Sequence, residues 1–263
     1  MKIAIIGAGN MGGAIAIAAA KTGGDVVVAN PSTGKLEALK AAEPRIDVTT
    51  DNIKAAEGAD LVVLAVKPWI LPSVVDQIKP SFDFERQSVV SIAGGVGFDA
   101  LDDMFRRDNG ELPAVFRVIP DTAISVARGM TFIAGRRAPE AAVVAVSTLF
   151  AAMGEAAVVE ERLIDAATAL SSCGIAYVFK YIQAAVQAGV ELGFRPVDAL
   201  RYVTATVDGA VALLKSEPGS TPQQHIDRVT TPGGMTIRGI NALERDGFTA
   251  AVIDATLAPL KPR

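Results

Sequence analysis

The sequence predicts an α/β protein, in which a doubly wound and mostly parallel sheet is followed by an all-helical C-terminal domain. Three observations carry that expectation. Short apolar runs alternate with segments long enough for crossover helices through residues 1–160. A glycine-rich turn stands directly between the first run and a helical stretch. Past Leu163 the strand-like patterning stops and alanine-rich helical periodicity replaces it across the rest of 161–263.

Taken in order, the first strand is the isoleucine-rich run 2–6, and the helical segment after it stops at Gly23-Gly24. Further strands are expected at 25–29, 60–66, 88–92, 114–118 and 131–134, with a last candidate at 155–159. Alternation of this kind means a sheet covered by helices on both faces. The helical half reads "LIDAATAL", then "IAYVFKYIQAAVQAGVELGF", then a helix opening near Pro196. Tyr177, Val178, Phe179, Tyr181, Ile182 and Val186 make the middle helix apolar around most of its circumference, more than a small domain can cover. Either it is a buried core helix of one chain or a second subunit covers it, and the size of the apolar surface favours a homodimer.

Composition narrows the function classes. With 263 residues, 50% of them hydrophobic, the chain can bury a sizeable core. A net charge of −4 leaves no basic stripe for nucleic acid or for an anionic membrane. One cysteine and one histidine cannot make a disulfide framework or a Cys/His metal site. No signal-peptide pattern and no run of 18 apolar residues is present, so a cytoplasmic protein is expected. Cys173 is expected to be buried and inert, and His225 to be a solvated residue on a helix surface.

The stretch "GAGNMGG" places Gly7, Ala8, Gly9, Asn10, Met11 and Gly12 in a G-x-G-x-x-G pattern after a strand and at the opening of a helix. Gly7 permits a tight turn, Gly9 allows backbone approach to a pyrophosphate, and Gly12 lets the helix close on the sheet, while free helix N–H groups face the anion. This is the signature of a Rossmann-type dinucleotide site. A glycine packing turn would share the pattern but not its context. At the end of the second strand, an acidic residue would select NADH by bonding the ribose 2′-hydroxyl. Here Asn30, Ser32, Thr33 and Lys35 stand instead, which favours NADPH while leaving NADH compatible. Two further turns follow strands, one with Ala65, Val66, Lys67 and Pro68, the other with Ala93 and Gly94. Both should face the cofactor, although each alone reads equally well as an ordinary strand-to-helix connection.

"RVTTPGGMTIRGI", residues 228–240, interrupts the helical half with paired glycines. Consecutive N–H groups at the start of a helix beginning near Thr236 would form an anion receptor with a helix dipole behind it. A plain helix connection capped by Thr230 or Thr231 accounts for the residues equally well.

Several of these segments carry a resemblance: "GAGNMGGAI", Asn52, "LAVKP", "RVIPDTA", "GMTFIAG", "LSSCGIAYVF" and above all "DRVTTPGGMTIRGINALERDGFTAAVIDA". Over essentially its whole length the chain resembles the pyrroline-5-carboxylate reductase family. The resemblance implies a Rossmann domain joined to a helical dimerisation domain, a homodimer that assembles further in some members, and reduction of a cyclic imine carboxylate to L-proline. It also implies that Gly234, Met235 and Thr236 hold the substrate carboxylate, within a loop that includes Thr231 and Gly233, with the Thr236 hydroxyl at the ring nitrogen as the catalytic group. Glu161 and Arg228 fall at secondary substrate-side positions, and Asn52 on the cofactor side. Two departures stand out. Residues 171–175 read Ser-Ser-Cys-Gly-Ile where the family has a Gly-Ser-Gly-Pro arrangement, and Asp121 replaces an Asn. A 3-hydroxyacid dehydrogenase would instead use a lysine on the long helix, near Lys180, yet Ala184 stands where those enzymes carry Asn. A non-catalytic NADP-binding sensor would share the scaffold, and only turnover separates it from an enzyme.

Overall fold

The computed structural model describes residues 1–261. Eight strands form one sheet in the order β3-β2-β1-β4-β5-β6-β7-β8: β1 Lys2–Ile6, β2 Asp25–Ala29, β3 Asp47–Thr49, β4 Leu61–Leu64, β5 Ser88–Ser91, β6 Ala114–Pro120, β7 Gly129–Arg136 and β8 Gly154–Val158. All neighbours pair in parallel except β6 and β7, so the last two strands run against the other six. The strand β3, just three residues long and partly exposed, has no apolar run to announce it in the sequence.

Seven helices cover the sheet: α1 Asn10–Lys21, α2 Thr33–Ala42, α3 Asn52–Ala56, α4 Leu71–Ile78, α5 Phe98–Phe105, α6 Glu140–Ala151 and α7 Glu161–Ala167. The α1, α2 and α6 side packs Ile15, Ala19, Leu36, Leu39, Leu149 and Phe150 on one face. The other face receives Leu71, Val75, Ile78, Leu101, Phe105 and Ile164 from α4, α5 and α7. The central strands are buried on both sides, and that is why they read as continuous apolar runs.

The chain divides into two compact units, Met1–Ser172 and the residues from Cys173 onward. By packing, α7 and the turn after it belong with the first unit, which therefore runs through Ser172. Ile164, Ala167 and Ala169 are buried in the first unit, and Glu161 and Asp165 pair with Arg117 of β6. A wider π turn over Thr168–Ser172 closes that unit, held by Ser172 donating to the Pro120 carbonyl at 3.3 Å.

The described residues of the second unit are built on helices without strands: α8 Gly174–Glu191, α9 Pro196–Ser216, α10 Pro222–Val229, α11 Met235–Arg245 and α12 Phe248–Leu257. Gly189 brings α8 close to Ala199 of α9, where a Cβ would lie 2.9 Å from the alanine methyl. Phe194 meets Tyr202 edge to face at 5.6 Å, and the Tyr177 hydroxyl donates to the Ala255 carbonyl at 2.8 Å. Ala199 is the one buried hydrophobic residue among the described residues of this unit. The helical stretch Glu161–Glu191 reaches the length and mean hydropathy, 1.2, of a membrane-crossing helix, although no uninterrupted 18-residue apolar run was visible in the sequence. Cys173 is only partly buried, whereas a fully buried position was expected for it.

Candidate functional site

The turns after β1, β4 and β5 lie side by side at the carboxyl ends of three adjacent strands. Chain order reverses between β1 and β4, and such switch points open a crevice above the sheet. Gly7 adopts φ +112°, a conformation that side chains rarely take, and donates its N–H to the Ala29 carbonyl at 2.8 Å. A Cβ on Gly7 would collide with the Ala65 carbonyl, and one on Gly12 with the Gly7 carbonyl. By contrast Gly9 has open space where its side chain would be. It sits at the N-cap of α1 and offers no side-chain cap, so the N–H groups of Asn10, Met11 and Gly12 have no intrahelical partner. Open space above unpaired helix donors is what a pyrophosphate requires, and the residues present fit a dinucleotide.

Asn30 braces this turn. Its Oδ1 accepts from the Ala8 N–H at 3.1 Å, and its Nδ2 donates to the Ser32 carbonyl at 3.2 Å. Ser32, Thr33 and Lys35 are exposed at the first turn of α2, with no carboxylate among them. Ala65 continues the β1–β4 ladder by donating to the Ile6 carbonyl at 2.8 Å, and Val66 lies against the Gly7 turn. Lys67 is extended before Pro68, as its position demands, and is exposed. Ala93 is buried under the next turn, while Gly94 and Gly95 have open space at their Cβ positions. Asn52 opens α3 and donates to Gln77 at 2.8 Å.

In the helical unit, Gly233 takes φ +73° and Gly234 folds back to donate to the Thr231 carbonyl at 2.9 Å. A Cβ on Gly234 would sit 2.5 Å from Thr231 Oγ1. Helix α11 begins at Met235, one residue ahead of expectation, with Gly234 as an N-cap that contributes no side chain. Thr230 donates its hydroxyl backward to the Ile226 carbonyl at 3.0 Å, so neither threonine caps α11. Met235 and Thr236 are exposed, and the first N–H groups of α11 remain unpaired.

The two secondary positions differ from each other. Arg228 donates from Nη1 to both oxygens of Glu217, at 2.8 and 2.7 Å, and this guanidinium holds the Glu217 carboxyl below its usual range. Glu161 belongs to the first unit, where it accepts from the Phe98 N–H, Arg117 and Arg136. Asp121 turns inward, accepting from the Ala123 and Met130 N–H groups at 2.8 and 3.1 Å and from the Ser171 hydroxyl. Its charge is thereby matched by donors of its own unit. Lys180 is exposed and donates to Gln183 at 3.0 Å, as a solvent-facing lysine does. His225 is half-buried, with Nε2 2.9 Å from the Ser220 hydroxyl. Arg117, 5% exposed, was missed by the sequence reading, although a lone arginine inside "AVFRVIP" was its available signal.

A strand, a glycine turn and an uncapped helix at a switch point define a dinucleotide-binding protein of the Rossmann class. Residues 2–95 match the family of coenzyme F420-dependent NADP oxidoreductases, and residues 161–261 match the pyrroline-5-carboxylate reductase dimerisation family. Pyrroline-5-carboxylate reductase of Methanosarcina acetivorans is 35% identical, over 97% of this chain and 94% of its own length. Pyrroline-5-carboxylate reductase 1 of Dictyostelium discoideum, a longer protein, is 34% identical over 95% of this chain and 47% of its own length. The crystal structure of Plasmodium falciparum pyrroline carboxylate reductase with NADP bound superposes with a TM-score of 0.87 at 28% identity, covering 98% of this chain and 95% of that one. The chain belongs to the pyrroline-5-carboxylate reductase family.

Proposed function

We propose that this chain reduces 1-pyrroline-5-carboxylate to L-proline with NADPH, or with NADH, and that it works as a homodimer. In this reading the amides at the head of α1 hold the pyrophosphate, and Ser32, Thr33 and Lys35 receive a ribose 2′-phosphate beside Asn30. Ala65–Pro68, Ala93, Gly94 and Asn52 complete the cofactor side. When bound, the reduced nicotinamide supplies the hydride that adds to the imine carbon. The Gly233–Thr236 loop binds the substrate carboxylate through its free amides, and the Thr236 hydroxyl holds the proton at the ring nitrogen. No strong base is needed, because positioning provides most of the acceleration.

The observation that carries the substrate side is the uncapped start of α11. Two glycines shape it, and a side chain on Gly234 would strike Thr231. Oxidation of NADPH with 1-pyrroline-5-carboxylate, beside six-membered imine carboxylates and 3-hydroxyacids, tests the reading. The five-membered ring should react fastest, and no oxidation with any imine overturns it. Thr236→Ala should lower turnover by about tenfold to a hundredfold and leave the dissociation constant for NADPH within about twofold. Equal damage to both would show that the loop is misassigned.

The exposed apolar helices of the second unit support the dimer and account for the hydropathy of Glu161–Glu191 without a membrane. Further assembly of dimers is part of the proposal, read by light scattering. A net charge of −4 and a single cysteine suit a cytoplasmic protein that engages small molecules in place of nucleic acid.

A further inference from the structure

The first unit holds a cluster of ion pairs that the reaction as described does not use. Arg117 on β6 and Arg136 and Arg137 on β7 and just beyond it face Asp99 and Asp102 of α5 and Glu161 and Asp165 of α7. Glu161 joins the two ends of this cluster. Its Oε1 accepts from the Phe98 backbone N–H at 2.8 Å and from Arg117 Nη1 at 3.2 Å, and its Oε2 accepts from Arg136 Nη2 at 3.0 Å.

Phe98 is the first residue of α5, and the residue before it, Gly97, has no side chain with which to cap the helix. Glu161 supplies that cap from 63 residues downstream. Arg136 meanwhile places its guanidinium 4.8 Å from the centre of the Phe98 ring. Phe98 is therefore held by its backbone and by its ring face, and it ends the Gly94–Gly97 turn. The Gly94-Gly95 half of that turn has no side chain to restrain it, with Gly95 at φ +78°, while Val96 and the Phe98 ring pack into the core, so the Phe98 N–H is the point at which Glu161 fixes where the turn ends.

Stability alone does not explain the arrangement. Arg117 is almost fully buried, and its Nε has no protein partner. A buried ion pair with an unmatched donor is commonly no better for stability than apolar residues of the same volume. What the pair does provide is a fixed direction for the Glu161 carboxylate.

We propose that Glu161 is a positioning residue for the reduced nucleotide, pinning the end of the Gly94–Gly97 turn through the Phe98 N–H, and not a contact of the imine substrate. This rests on the reading that the turn after β5 faces the cofactor. The test compares Glu161→Ala, the isosteric Glu161→Gln, which keeps an acceptor for Phe98, and Glu160→Gln, an exposed neighbour paired with Arg162. Dissociation constants for NADPH come from fluorescence titration without imine, and KM values for both substrates come from steady-state rates.

Glu161→Ala should raise both the dissociation constant and the KM for NADPH by about five- to tenfold. Glu161→Gln should shift them by about two- to threefold. The KM for 1-pyrroline-5-carboxylate should stay within about twofold in both, and Glu160→Gln should match the wild type. A merely structural role would reduce the active fraction and leave KM values in place, which overturns the proposal. So does a raised KM for the imine with unchanged NADPH binding, since that returns Glu161 to the substrate. If Glu161→Ala does not fold, a Glu161→Gln protein with wild-type NADPH affinity and wild-type KM also overturns it. The binding titration needs no turnover, so a wild type that reduces no imine defeats the assigned reaction while the titration still decides the role of Glu161.

Discussion

The two units of this chain solve the burial problem differently. The sheet unit encloses its own core, with Ile3, Ile5, Leu64, Leu71, Phe105, Phe116 and Phe150 fully removed from water. In the helical unit Phe179 is 60% exposed, Leu192 78% and Val197 66%. Each such side chain forgoes more than half of the about 1.5–3 kcal/mol that full burial provides, so the helices gain their stability from a surface that one copy does not possess. The first unit can be understood from one chain, whereas the second requires two.

The largest effect should come from charging the exposed apolar helices. Phe179→Glu should give monomers by analytical ultracentrifugation and nearly abolish turnover. Val144→Glu, placed on an equally exposed valine of α6 in the sheet unit, should leave assembly unchanged. If both variants remain dimeric and active, the contrast between the units fails.

An acid titration sharpens it from the other side. In the sheet unit, hydrogen bonds from Arg45 hold Glu43 at about 2, against its ordinary 4.5. For Asp102, burial pushes the carboxyl up, but hydrogen bonds from Arg137 and Arg136 outweigh this and keep it below its ordinary 3.8. Carboxylates that bind protons less readily when folded stabilise the protein fully above those ordinary values, and lose that contribution as pH falls through the folded ones. Circular dichroism should therefore show stability decreasing from about pH 4.5 downward. Glu43→Gln should flatten part of the slope, and parallel curves would remove Glu43 from the account.

The smallest change is expected at Lys180. Lys180→Met should keep imine reduction within about twofold to threefold of wild type, as an exposed lysine paired with Gln183 implies. A loss of several orders of magnitude would reinstate a hydroxyacid mechanism.

Legibility in the sequence followed the range of the interactions. The Gly7, Gly9 and Gly12 turn could be read because its chemistry belongs to the backbone and leaves glycines at fixed spacing. The Gly233-Gly234 turn could be read for the same reason. The apolar excess of α8 points to a second subunit from the sequence alone. Glu161 was found only as a family position, and its contacts with Phe98, Arg117 and Arg136 were not legible, because those partners lie 63, 44 and 25 residues away. Asp121 could be read only as a departure from the family's Asn, since nothing local shows that Met130 and Ser171 fold back to meet it. The short strand β3 escaped because three residues, one of them an aspartate, leave no periodicity to detect.

Asn30 carries a consequence for anyone wishing to redesign cofactor choice. Its amide oxygen accepts from Ala8 and its nitrogen donates to the Ser32 carbonyl, so one side chain fastens the glycine turn and the head of α2 together. Aspartate, the obvious exchange toward NADH, would keep the first bond but set a second oxygen against the Ser32 carbonyl. A switch of coenzyme in this scaffold therefore requires the 30–32 backbone to be rebuilt along with the side chain.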